Sequence, residues 1–214
     1  MVILQPLQRH LHGLSPRDMD LFYRFGIGEV KPSPYSCIHH AFEHHAACQP
    51  DAVAVVNFEE AITYGELDRQ ANCLATHLRD MGVQTDSRIC VLVERSILMV
   101  VAILGVLKSG AAYVPLDGDI VSDSTIAHAL EDSGSDILLT LPKFTERAVT
   151  AKNIINLEDA ICARPSLHCV KPKDEATTNS GAYVIYTSGE SLLRHSLPSP
   201  IDMVCRDDWS AKGR

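Results

Sequence analysis

The sequence predicts an α/β fold, a mainly parallel sheet with helices packed against it. Three observations carry this expectation. Short apolar or β-branched runs alternate with longer segments of helical period, the pattern of strand–helix–strand units whose strands lie parallel. Ile89–Val93 is apolar at every position, as a strand covered on both faces must be. Ile97–Leu107 is apolar nearly all round, which suits a helix enclosed in a layered core.

The elements follow in chain order. Ser15 with Pro16 behind it makes a helix start, a capping hydroxyl and then a residue pre-set for the first helical position. Lys31-Pro32-Ser33-Pro34 cannot continue that helix and reads as a linker. A second helix is expected over Ile38–Cys48, stopped before Pro50, and Val53–Val56 is a short strand. Thr63 and Glu66 stand at capping-box spacing, with Ile62 and Leu67 placed as a hydrophobic staple. The apolar face then runs Leu67, Ala71, Leu74, Ala75, Leu78 and Met81 until Gly82. Ser96 caps the next helix, through Lys108, and Gly110 ends it. A strand is expected over Ala111–Leu116, a helix over Thr125–Asp132 up to Gly134, then strands at Asp136–Thr140 and Asn153–Leu157. Residues 163–181 are loop-like, and Ala182–Tyr186 is the last strand, opening into Thr187-Ser188-Gly189. Ligands of parallel sheets bind at the carboxyl ends of strands, where Pro115-Leu116-Asp117 and Thr187-Ser188-Gly189 both stand.

Composition narrows the function classes. A chain of 214 residues holds a sizeable core, and a formal net charge of −8 without a basic stripe argues against non-specific nucleic-acid binding. Seven cysteines without a Cys-x-x-Cys pair argue against a disulfide framework or a zinc knuckle and for a reducing, cytoplasmic setting. The longest apolar run, Ile97–Leu107, falls short of the about 20 residues of a bilayer span, so no membrane role is expected.

His40-Ala41-Phe42-Glu43-His44 matches the inverted zinc-protease pattern and would put two imidazoles on one helix face, but the same residues suit the polar face of an entry helix. No Gly-x-Ser-x-Gly elbow is present, nor either glycine pattern that cradles phosphates. Gly26-Ile27-Gly28 reads as a turn. Thr187, Ser188 and Gly189 do offer hydroxyls and backbone N–H groups suited to a phosphate.

Ile62–Leu67, Leu107–Asp117 and Ala182–Gly189, in that order and spacing, resemble the first three core motifs of the adenylate-forming enzymes. The nearest likeness is to the adenylation domains of nonribosomal peptide synthetases. Pro50–Val55 and Leu130–Gly134 resemble that family's connecting sequence. Residues 1–36 resemble a leader or linker, 37–189 part of an AMP-binding domain within an incomplete N-terminal subdomain, and 190–214 form an atypical, poorly ordered tail.

The resemblance implies activation of an amino acid or other carboxylate. Its carboxylate attacks the α-phosphate of ATP, in the presence of Mg²⁺, and the acyl group then passes to a phosphopantetheine carrier thiol. It also implies that Thr187, Ser188 and Gly189 begin the ATP phosphate loop, with no catalytic and no metal-binding residue assigned in this chain. The family loop continues with a second glycine and a lysine. Here Glu190-Ser191-Leu192-Leu193-Arg194-His195 follows, with no lysine until Lys212. A carboxylate there repels phosphate by about 1 kcal/mol or more. The switch after Gly189 resembles translation in another frame or through an intron. The expectation is a truncated adenylation-domain fragment without catalysis of its own. The alternatives are an active AMP-forming ligase whose sequence after Gly189 is misassigned, a non-catalytic binding module, and a zinc hydrolase built on His40, Glu43 and His44.

Overall fold

The structure, a computed structural model, describes residues 13–26, 33–147, 150–162, 171, 173, 175–186 and 204–205. Contacts divide the chain into two units, Met1–Pro34 and Tyr35–Arg214. In the first, helix α1 spans Pro16–Phe25, and the Ser15 hydroxyl accepts from the Asp18 N–H at 3.2 Å as the N-cap.

The second unit is built on four parallel strands. Helix α2 (Ile38–Cys48) precedes a hairpin of β1 (Val53–Asn57) and β2 (Glu60–Thr63), which turns through Phe58 at φ 54°. Only the first of these strands is expected from sequence, because Ile62 and Thr63 serve two elements at once. Both end β2, and they also staple and cap α3 (Tyr64–Asp80). Thr63 Oγ1 accepts from the Glu66 N–H at 3.3 Å, and Ile62 and Leu67 are buried in one cluster. The Glu66 carboxylate instead takes Arg69 and Gln70, and the Arg69 hydrogen bonds are the main reason it titrates below its ordinary value.

Strand β3 (Arg88–Val93), helix α4 (Ile97–Lys108) and strand β4 (Ala112–Asp117) form one crossover unit. Helix α5 (Asp123–Ser133) leads to β5 (Ile137–Thr140), and a 3₁₀ turn over Pro142–Arg147 leads to β6 (Asn153–Asn156). The sheet order is β4-β3-β5-β6, all parallel. Strand β7 (Val184–Ile185) continues the sheet beyond β4 through a parallel bridge between Tyr113 and Tyr183. It also pairs in parallel with β8 (Val204–Cys205), the one part of residues 190–214 described.

The α/β expectation is met, with local differences. Ser122 caps α5 and extends it beyond the expected Thr125 start, while Gly134 at φ 65° ends it as expected. The segment after Asn156 turns into a short helix, α6 (Leu157–Cys162), rather than ending a strand. Cys48, Cys90 and Cys162 are thiols and Cys73 is disulfide-bonded, although the sequence argues against a disulfide framework. No helix among the described residues is long and apolar enough to cross a membrane.

Right-handed crossovers decide the layers. The step from β3 to β4 and the step from β4 to β5 run in opposite directions along the sheet, so α4 and α5 cover opposite faces. Cys90 lies on the α5 face, its thiol 3.8 Å from the Ser133 hydroxyl, and burial pushes that thiol up to about 11. On the other face α3 and α4 come so close at Gly105 that a Cβ there would stand 2.6 Å from Leu74 Cδ2.

A buried cation ties this helical layer together. Lys108, with a fully buried side chain, ends α4 and donates to Glu43 of α2 at 2.7 Å, Asp68 of α3 at 2.8 Å and Asn72 of α3 at 2.9 Å. Burial tends to raise the Glu43 carboxyl, but hydrogen bonds and charge from Lys108 and Lys171 outweigh it and hold the group below its ordinary 4.5.

Removing the cation strands two carboxylates in a half-dry layer. Lys108→Ala should therefore cost about 3 kcal/mol, a fall in Tm of about 10 °C, measured by calorimetry. A carboxylate held lower in the folded than in the unfolded state adds stability that is complete above its ordinary value and lost as pH falls through the folded one. Stability of the wild type should decline below the ordinary 4.5 of Glu43. In Glu43→Gln this part of the acid limb should be missing from denaturation curves across that range.

Candidate functional site

Connections that leave β3 and β4 toward opposite faces open a crevice at the carboxyl ends of these strands, the usual place for a ligand in a parallel sheet. The neighbouring strand ends there too. The Tyr113 N–H donates to the Ala182 carbonyl at 3.1 Å, and the Gly181 N–H donates to Asp86 Oδ1 at 2.9 Å, which sets the direction of Ala182–Tyr186 beside β4. Burial, with the neighbouring Tyr183 second, raises the Tyr113 phenol. Tyr186, the last described residue of this segment, donates its hydroxyl to Asp132 of α5 at 2.8 Å and meets the His128 ring edge-on at 5.9 Å. The chain is thus held parallel to β4 up to the position just before Thr187. Thr187, Ser188 and Gly189 themselves lie outside the described residues.

The described rim of this edge is a set of paired charges. The Gly118 N–H extends the ladder to the Val93 carbonyl at 3.0 Å. Arg95 stands 3.7 Å from Asp117, and Lys143 pairs with Glu94 and, at 3.9 Å, with Asp119. Arg147 clamps the loop after β4, donating to the carbonyls of Gly118 and Val121 and to Asp123 at 2.8 Å. Phe144 lies under the same loop, and a Cβ on Gly118 would stand 2.5 Å from its ring. The rim is preorganised, with each of these cations engaged by a carboxylate. Sequence reasoning did not find Lys143 and Arg147, because their 3₁₀ turn shows no apolar period.

The motif residues of the hypothetical zinc hydrolase do not assemble. Glu43, which that chemistry needs as a general base, is held by Lys108 at 2.7 Å and Lys171 at 2.6 Å. His44 lies 3.7 Å from the Cys48 thiol, and among the described residues the group of possible metal ligands that includes His40 contains Cys37 and His39 but neither Glu43 nor His44. A hollow of about 480 Å³ lined by Arg79, Gly82, Val83, Gln84, Thr85 and Glu175 sits before β3, at the amino edge, away from the crevice.

Three comparisons with known proteins bear on this edge. Residues 42–189 match the family model described as AMP-binding enzyme, so the match takes in Thr187–Gly189 and stops where the sequence changes character. An adenylate-forming reductase of Coprinopsis cinerea is 53% identical over 182 residues, covering 84% of this chain and 18% of the reductase. A crystal structure of the nonribosomal peptide synthetase FmoA3, bound to α-methyl-L-serine-AMP, superposes with a TM-score of 0.71 at 26% identity, over 81% of this chain and 19% of that one. The N-terminal subdomain of NpsA from Klebsiella oxytoca, at 22% identity and a TM-score of 0.65, covers 75% of this chain and 41% of that one and supports the fold alone. This chain therefore spans about a fifth of the length of the reductase and the synthetase.

The close approach at Gly118 gives a test of the rim. Gly118→Ala must push Phe144 or the loop aside and should cost about 1–3 kcal/mol in chemical denaturation. An unchanged midpoint would show that the 3₁₀ turn does not brace this loop.

Proposed function

This chain belongs to the AMP-binding enzyme family, and on that premise we propose that residues 37–189 are the N-terminal part of an adenylation domain that activates a carboxylic acid. In this reading residues 1–36 are a leader and 190–214 an atypical tail. The observation that carries it is the segment Ala182–Tyr186, which contains β7 and runs parallel to β4, with Thr187-Ser188-Gly189 next in the sequence. The hydroxyls of Thr187 and Ser188 and the backbone N–H groups of this run suit phosphate oxygens, and Gly189 permits close backbone approach. The acid becomes joined through a carboxylate oxygen to the α-phosphorus of Mg²⁺-bound ATP, giving an acyl-adenylate with pyrophosphate as the leaving group. The contribution of this chain is to bind and orient the phosphates at the end of a strand braced by Tyr186 and Asp132.

The fit is incomplete at one point. Glu190 follows the loop, and no lysine lies between Lys173 and Lys212 to offset the phosphate charge. The 214 residues therefore hold the start of a phosphate loop without its cation, and we assign them no adenylation activity of their own. The step after adenylation has two readings. Fold and motif order favour an amino-acid-activating domain of a nonribosomal peptide synthetase, which passes its acyl group to a phosphopantetheine carrier. The 53% identity to an adenylate-forming reductase favours reduction of the activated acid instead. For either reading we propose a cytoplasmic setting, which the absence of a Cys-x-x-Cys pair among seven cysteines supports.

Two measurements test this. ATP–pyrophosphate exchange by the purified chain should stay at the level of a heat-killed control for every amino acid and aryl acid tried, and exchange above that level would overturn the non-catalytic assignment. Replacing the repelling carboxylate, Glu190→Thr, should tighten ATP binding about fivefold in equilibrium dialysis, since about 1 kcal/mol of repulsion is relieved. An unchanged Kd would remove Thr187–Gly189 as the phosphate loop.

A further inference from the structure

We propose that Cys37, His39 and His40 form a binding site for a single zinc ion at the start of α2. The thiol sulfur and one nitrogen of each imidazole all lie within 4.8 Å of one another. In a tetrahedral zinc site, with Zn–S about 2.3 Å and Zn–N about 2.0–2.1 Å, neighbouring donors stand about 3.3–3.7 Å apart. The 4.8 Å bound on the donor separations lies within about 1.5 Å of that spacing.

The local structure explains why these three meet. Cys37 is the N-cap of α2, with extended backbone (φ −136°, ψ 158°), and its side chain makes no capping hydrogen bond. The sulfur is thus turned away from the helix N–H groups. His39 and His40 follow in the first turn, their rings edge to face at 4.5 Å between centroids. His39 is 2% exposed and forms a dry wall, whereas Cys37 and His40 are half-buried and leave a way in from solvent. The thiol also donates to the Thr177 carbonyl at 3.5 Å, a long sulfur contact.

Donor chemistry selects the metal. One thiolate and two neutral imidazoles favour zinc over magnesium or calcium, which prefer oxygen ligands. Binding releases the thiol proton to solvent, forms one Zn–S and two Zn–N bonds, and leaves the fourth position to water. No hydrolysis is assigned to the site, because Glu43 is bound to Lys108 and Lys171. Its consequence is structural. The metal pins the N-terminus of α2, the helix that carries Glu43 to the buried Lys108. The inference does not rest on the adenylation reading, since none of its residues belongs to the phosphate-loop edge.

The test uses the full 214-residue chain without an affinity tag, with cobalt(II) as the spectroscopic probe and zinc as its competitor. The wild type should take up one cobalt per chain, with the thiolate-to-cobalt charge-transfer band and the strong visible bands of four-coordination, and zinc should bleach both. Cys37→Ser should abolish the charge-transfer band, and His40→Ala should weaken zinc binding about tenfold or more. His44→Ala, which removes the neighbouring imidazole outside the cluster, should leave band and stoichiometry unchanged. Absence of the charge-transfer band from the wild type would overturn the site whether or not any variant folds. Its survival in a folded Cys37→Ser chain, verified by circular dichroism, or its loss in His44→Ala, would overturn this ligand set.

Discussion

The helical layer depends on one buried ammonium group. Lys108 has no solvent to turn to, and its hydrogen bonds go to Glu43, Asp68 and Asn72 on two other helices. Apolar contact between α3 and α4 is non-directional and would tolerate sliding or rotation. A fully buried charge has few acceptable positions, because each misplaced acceptor leaves an uncompensated ion. Gly105 adds the steric half of the same constraint by letting Leu74 approach the α4 backbone. Together they set how α2, α3 and α4 lie over one face of the sheet.

That layer in turn positions the carboxyl edge. With α4 and α5 on opposite faces, the loops after β3 and β4 diverge, and the ion pairs Arg95–Asp117 and Lys143–Glu94 stand at this edge. The last strand is placed by two backbone groups, Ala182 and Gly181, and by the Tyr186 hydroxyl. An adenylate-forming enzyme needs a phosphate loop held at such an edge. In the function proposed for this chain Ala182–Tyr186 would support that loop, and Glu190 is the residue that follows it in the sequence.

The local signals were read correctly where one residue has one job. Ser15, Thr63 and Ser96 cap the helices expected of them, and Gly134 stops α5. They were misread where one residue has two, as at Ile62 and Thr63, or where an element has no period, as in Pro142–Arg147. Sequence spacing paired His40 with His44 through the helical repeat, whereas the fold groups His40 with His39 and the N-cap Cys37. The reason is that an N-cap residue is extended, and helical spacing rules do not predict where its side chain goes.

Taken alone, the sequence determined the parallel α/β class, the order of most elements, the family and the break after Gly189. These depend on local pattern: apolar period, capping residues and motif order are written within a few residues of one another. Tertiary structure decided the partners of Lys108 and Glu43, the ion-paired rim and the grouping of Cys37 with His39 and His40. Lys108 and Glu43 are 65 positions apart, and Glu94 and Lys143 are 49 apart. No local propensity encodes such a meeting. It follows from the directions of the crossovers and from the requirement that a buried charge find its counter-ions.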